Sequence, residues 1–400
     1  AGPAVLVGAW AFTRPALVED VALRSDREAD GAVFGVLALA GAGLAVLLAT
    51  LVRRRLGESA RTRSGRLLVV LALVCVAGAA VALGVGVADA VSSGRSCAEV
   101  VNDPGRLGSL DPNNRWCWWN EAWDVYTGNA PEGAGAGSFE VARKRYRVDA
   151  RNVLQPHSVP LQQLADGGIV ALGLFLALVA SAAWVCVCAV RRLDGDERAA
   201  AVALVAAPVA YLLHALVDYS WDFLAVTAPT LFALGVLAAA GRGRGAVVRR
   251  PWLAVGAALV ALCVLASFSA PRIADRAVRA STRALDEGDF DRARDRALWG
   301  RLLNPLSVEP LYALARLEER RGVPRAAERR YVQAVELQPD NPETWYALGL
   351  FEFEARARMC AAYTFLNEAY TLDPAGSQWV KGGPLDVARD AVNAGACEPG

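Results

Sequence analysis

Histidine is nearly missing from this chain: there are two in 400 residues, His157 and His214. With so few imidazoles, histidine-based metal sites have almost no material to work with. Lysine is as scarce, with Lys144 and Lys381 alone, so arginine carries the positive charge. Neither sign of charge dominates: 42 basic residues face 41 acidic ones, for a net charge of +1. That balance argues against nucleic-acid binding by the chain as a whole. A starting Met and the basic n-region of a signal peptide are also lacking. Ala1 opens inside the apolar stretch AGPAVLVGAWAF, which reads as the end of a helix begun earlier, so a piece of a longer protein is expected.

What is abundant is apolar sequence: 54% of residues are hydrophobic, yet 21% are charged. The mixture implies alternating membrane and aqueous parts rather than one soluble core. Runs long enough to span a bilayer, about 20 residues, occur at 33–52, 67–87, 168–190, 199–217, 221–240 and 252–269. Alternate links between them are basic: residues 53–66 carry six arginines, 191–198 three and 242–250 four. If those links are cytoplasmic, the other side holds the loop 92–166 and everything after Pro271. The expected organisation is a helix end plus outer segment (1–32), a six-span membrane domain (33–270) and a third domain (271–400).

That third domain has a period. The segments LLNP, ELQP and TLDP end at Pro305, Pro339 and Pro374, at intervals of 34 and 35 residues. Twelve residues before each proline stands an alanine: Ala293, Ala327 and Ala362. LYALARL (311–317) is followed 34 residues later by WYALGLF (345–351). A 34-residue period with small residues where two helices cross predicts tetratricopeptide repeats, about three helix pairs here. The fold class is therefore all-α: a polytopic transmembrane helical bundle followed by an α-solenoid.

The cysteines fit that topology. Cys75, Cys186, Cys188 and Cys263 lie in spans and read as small apolar residues, with no metal site at the Cys186–Cys188 pair. Cys97 and Cys117 share the outer loop, and Cys360 and Cys397 the tail, which permits two disulfides on the oxidising side.

The outer loop holds the chemistry. Four of the eleven tryptophans, Trp116, Trp118, Trp119 and Trp123, fall within nine residues. They predict a helix at headgroup depth that holds Arg115 near the bilayer. PEGAGAGSF places Gly133, Gly135 and Gly137 at alternate positions, either a flexible turn or a nest of backbone N–H groups for an anion. No Lys-Ser/Thr pair follows, so it is not a P-loop. Arg143, Lys144, Arg145, Arg147 and Arg151 come next, readable as a solvated helix face or as an anion site. His157 follows, ten residues before the Gly167-Gly168 pair that opens the next span. An imidazole there suits proton abstraction near neutral pH. His214 sits within the fourth span, where pairing with Asp218 at i, i+4 is a structural explanation for it. Asp218 and Asp222 bracket a tight outer turn, as functional groups or as helix caps.

R-x-x-x-W from Arg115 to Trp119, P-x-G-x-G-x-G-x-F over 131–139, and PHSVPLQQLADGGIVALGLFL occur in that order on one membrane side. Together they resemble the O-antigen ligase and O-antigen polymerase superfamily of membrane glycosyltransferases. HALVDYSWDF and the trailing repeats resemble a variant of that family in high-GC bacteria. The likeness covers residues 33–240. It implies transfer of a glycan from an undecaprenyl-pyrophosphate carrier to a glycan, lipid or protein acceptor outside the bacterial cytoplasmic membrane, with no cofactor, nucleotide sugar or metal. His157 occupies the family's loop-histidine position, as base for the acceptor hydroxyl. Arg115 matches its loop arginine for the pyrophosphate, with Arg151, Arg147 or Arg143 beside it. Gly133, Gly135, Gly137, Asp218 and Asp222 would support the site, and the repeats would bind a protein partner or the growing glycan. The family usually has ten or more spans, and Ser158 follows His157 where many members have Asn. A non-catalytic membrane anchor for an exported repeat scaffold is the alternative.

Overall fold

The computed structural model describes residues 6–7, 9–11, 13–18, 23–55, 114–241, 251–395 and 397. The described residues are helical, without strands. The chain divides into two units between Cys117 and Trp118. In the first, α1 (Arg24–Arg55) contains the expected span 33–52. The expected span 67–87 and the cysteines Cys75 and Cys97 lie outside the described residues.

Helix α2 (Arg115–Gly128) begins at the end of the first unit; in the second, the short α3 (Phe139–Ala142) precedes three apolar helices: α4 (Val159–Arg192), α5 (Gly195–Ala215) and α6 (Leu224–Ala240). Next comes α7 (Pro251–Asp286). Among the described residues, three helices are long and apolar enough to cross a membrane: Val159–Arg192, Gly195–Ala215 and Ala258–Asp286. The predicted span 221–240 becomes the 17-residue α6, because Trp221 belongs to a 3₁₀ turn, Ser220–Asp222. At 1.5 Å per residue α6 covers about 25 Å.

Two helices run across boundaries expected from the sequence. The outer loop was expected to run to residue 166, but α4 starts at Val159, with Pro160 in its first turn. Its helical geometry breaks at Gly167 (φ −125°) and Gly168 (φ 62°), so its first turns run at an angle to the span. Residue 271 was expected to divide membrane from repeat domain, yet α7 runs through Pro271 without a break. Its distal half buries Val278, Ala284 and Leu285 against Ala293 and Ala297 of the next helix, and this packing overrides the lost proline N–H.

That distal half is the first helix of the repeats. Its partner is α8 (Phe290–Leu303). Two further pairs follow, α9 (Glu309–Arg320) with α10 (Pro324–Leu337), and α11 (Pro342–Glu354) with α12 (Met359–Leu372). A last helix, α13 (Pro384–Asn393), closes the stack. Ala293, Ala327 and Ala362 are all fully buried, because helices 8–10 Å apart admit only small side chains at the closest approach. At Gly349 even a methyl group would meet Leu366. Cys360 and Cys397 form a disulfide that ties the end of the chain to α12.

Candidate functional site

Before α4 the chain passes through His157, whose backbone is left-handed (φ 53°). A non-glycine residue is held there only when its surroundings over-determine it, and here four groups do. Trp119 Nε1 donates to the His157 carbonyl at 3.2 Å. The Trp118 indole stacks on the imidazole, with centroids 4.6 Å apart. Tyr219 meets it edge-on at 4.4 Å. Asp218 Oδ1 lies 3.1 Å from His157 Nδ1. Two of the four tryptophans assigned to a headgroup belt therefore hold the histidine.

Asp218 faces both histidines of the chain. Besides His157, it has His214 Nε2 at 3.9 Å, the i, i+4 pairing expected from the sequence. Its Oδ1 also accepts from the Tyr219 N–H at 2.8 Å, which fixes the carboxylate in the turn after α5. His214 Nδ1 pairs with Ser220 Oγ. Asp222, in the same turn, receives a hydrogen bond from Gln155, and partial desolvation raises its carboxyl above the usual value. The two turns are thus joined at 155–222 and 157–218. Both histidine and carboxylate side chains keep about a fifth of their surface, 21% and 23%, so the site is open to solvent.

The glycine loop serves this site indirectly. Its N–H groups do not stand open: Ala134 N donates to Ala165 O at 2.8 Å and Gly135 N to Asp166 O at 2.7 Å. The Asp166 carboxylate takes Phe139 N at 3.0 Å. The anion in the nest is therefore internal, where the sequence reading allowed an external one. Gly133 (φ 77°) and Gly168 (φ 62°) let two backbones touch. A Cβ on Gly168 would sit 1.9 Å from Pro131 O, and one on Gly133 2.5 Å from Gly168 N. Gly137 (φ 71°) has open space around its Cα.

The basic cluster is similarly committed. Arg143 is fully buried, donating from Nε to Glu121 at 2.6 Å and from Nη1 to the Arg151 carbonyl at 2.9 Å. Burial pushes the Glu121 carboxyl up, and Arg143 opposes that rise. Arg147 forms a bidentate pair with Asp373, at 2.9 and 2.7 Å, with both side chains buried. Lys144 pairs with Glu343, and Arg145 with Asp340 at 3.5 Å. Three of these cations thus grip the repeat domain, where the sequence suggested a solvated face or an anion site. Arg151 is half-buried and bonds Asp149 at 2.7 Å. Burial would raise the Asp149 carboxyl, but the hydrogen bonds from Arg151 outweigh it and hold it below the usual value. Arg115 stands first in α2.

The sequence reading missed Glu121, Asp166, Tyr219 and Asp373. Asp166 had a local signal, since it directly precedes the glycine pair. The others act across the fold, and their own neighbourhoods carry no sign of it.

Two family models match parts of the chain. Residues 31–176 match the family model described as O-antigen ligase. Residues 308–351 match the model described as tetratricopeptide repeat. No curated protein matches the chain. The first match includes His157 and ends inside α4, so Asp218 lies beyond it. The apolar helices and this match mark a membrane protein with an O-antigen ligase-type segment followed by tetratricopeptide repeats.

Proposed function

We propose that this chain, with its O-antigen ligase-type segment, is a multi-pass glycosyltransferase of the bacterial cytoplasmic membrane. It moves a glycan from an undecaprenyl-pyrophosphate carrier to an acceptor hydroxyl on the outer side, where the loop 92–166 and the repeats 271–400 reside. The observation that carries the reading is the His157–Asp218 contact at 3.1 Å. Asp218 accepts the Nδ1–H of His157, which leaves the Nε2 lone pair to take the acceptor's proton. The acceptor oxygen then attacks the anomeric carbon while that carbon's bond to pyrophosphate breaks, and the electron pair leaves with the lipid pyrophosphate. One in-line displacement inverts the sugar carbon. The charge that develops on the leaving group needs fixed cations. Arg115 and Arg151 take that role, whereas Arg143 and Arg147 hold the loop that carries His157. Helix α7 runs from the last apolar stretch into the repeats without a break.

The test is turnover of undecaprenyl-pyrophosphate oligosaccharide by the protein in detergent, without nucleotide sugar. Longer glycan on the same carrier means polymerase; glycan on a lipid or protein acceptor means ligase or oligosaccharyltransferase. A second reading, a non-catalytic membrane-anchored repeat scaffold, is favoured by one observation: Arg143 and Arg147 are neutralised internally. No donor consumption across several oligosaccharides would select it.

A further inference from the structure

The repeat domain carries a cleft of its own, of about 340 Å³, between α11, α12, the segment after Asp373 and α13. Aromatic rings dominate one wall. Trp379 stands at its centre, with Tyr346 and Tyr370 both edge-on to it at 5.5 Å. The indole is held in place because its Nε1 donates to the Asp373 carbonyl at 2.6 Å. Asn367, Tyr363 and Gln378 bring amide and hydroxyl groups to the same space. The volume falls in the range of small-ligand sites, roughly 300–1,000 Å³.

We propose that this cleft binds a saccharide, and that it holds the acceptor glycan while its end reacts at the His157 loop. The second half of the statement rests on the transferase reading; the first does not. Two features point to a sugar. Ring faces and edges give the C–H groups of a pyranose a flat apolar partner. Amides and phenols both donate and accept, as sugar hydroxyls require. The cleft's charged groups are Arg389, held by Asp386 at 2.7 Å, and Lys381. The cleft is coupled to the loop through one residue. Asp373 accepts Trp379 with its carbonyl and Arg147 with its carboxylate, and Arg147 also donates to the Arg151 carbonyl at 3.2 Å.

The experiment uses the full chain carrying His157→Ala, so that no turnover occurs, in a detergent without a sugar headgroup. Saturation-transfer NMR is recorded with maltohexaose, cellohexaose and a β-1,3-glucan hexasaccharide. Tyr370→Ala and Asn367→Ala serve as variants; the Tyr370 ring packs on Trp379, while its carbonyl, which accepts the Asp373 N–H, is kept by the substitution. Binding of at least one hexasaccharide, weakened about tenfold by Tyr370→Ala and measurably by Asn367→Ala, is the expected result. Silence with all three saccharides overturns the proposal, as does binding that both variants leave unchanged. Displacement of a bound saccharide by a mixture of short peptides at equal concentration overturns it too. Saccharide binding beside a wild-type protein that turns over no donor leaves the cleft standing and removes the transferase. Turnover without saccharide binding does the reverse.

Discussion

Replacing Asp218 by asparagine keeps the shape of the side chain and removes its charge. His157 loses the carboxylate that fixes its Nδ1–H, and the imidazole can then present either tautomer to the acceptor. A hydrogen bond with one charged partner contributes about 1.5–3 kcal/mol, which at about 1.4 kcal/mol per factor of ten is about a 10- to 100-fold loss in kcat. Both side chains keep about a fifth of their surface, 21% and 23%, and solvent screening places the expectation near the lower end, about tenfold. His157→Ala removes the base and should cost about 10²- to 10⁴-fold. Because the two residues act as one unit, the double variant should be no slower than His157→Ala alone. The assay is kcat for consumption of lipid-pyrophosphate oligosaccharide at saturating donor. Thermal melts run alongside, since Asp218 also accepts the Tyr219 N–H. Asp218→Asn at wild-type rate, or losses that multiply in the double variant, would refute the dyad.

The remaining expectations concern the frame around that pair. Arg147→Ala strands the buried Asp373 carboxylate and should cost about 3–5 kcal/mol, read as a lower melting temperature; the paired change Arg147→Met with Asp373→Leu should recover most of it. Gly168→Ala places a methyl group 1.9 Å from Pro131 O at a φ of 62°, so the glycine loop must detach, with loss of folded protein in membrane extracts. The Asp149–Arg151 contact has a depressed carboxyl pKa. Its stabilisation is therefore present above the ordinary value of 3.8 and lost as pH falls through the lower folded-state value. The stability difference between wild type and Asp149→Asn should be flat from neutral to mildly acidic pH and vanish in stronger acid. Ala362→Phe overpacks a fully buried helix crossing and should cost about 1–3 kcal/mol, measured by urea unfolding.

Much of the candidate site was half legible. His157, Asp218, the glycine loop and the arginines all stand out as residue types in unusual places. Their roles were less legible, because a role depends on the partner. Arg147 and Arg143 look alike in the sequence, yet one holds Asp373, 226 residues away, and the other holds Glu121, 22 residues away. The glycines suggested a nest for an outside anion, but Asp166 fills it from within. The apolar run ends near residue 270, and α7 continues through Pro271 because its distal half has a neighbouring helix to pack on.

Local patterns determined the helical class, the apolar spans from 159 onward and the three-pair repeat. Hydropathy over some twenty residues and a 34-residue period are properties of contiguous sequence and survive without knowledge of the fold. Tertiary structure alone decided which charges remain for a substrate. Helix α5 and its turn bring Asp218 to His157 across 61 residues of chain, and the repeats bring acidic turns to the basic loop. In both cases a charge leaving water must find its opposite within a few ångströms, and only the folded chain determines which one is there.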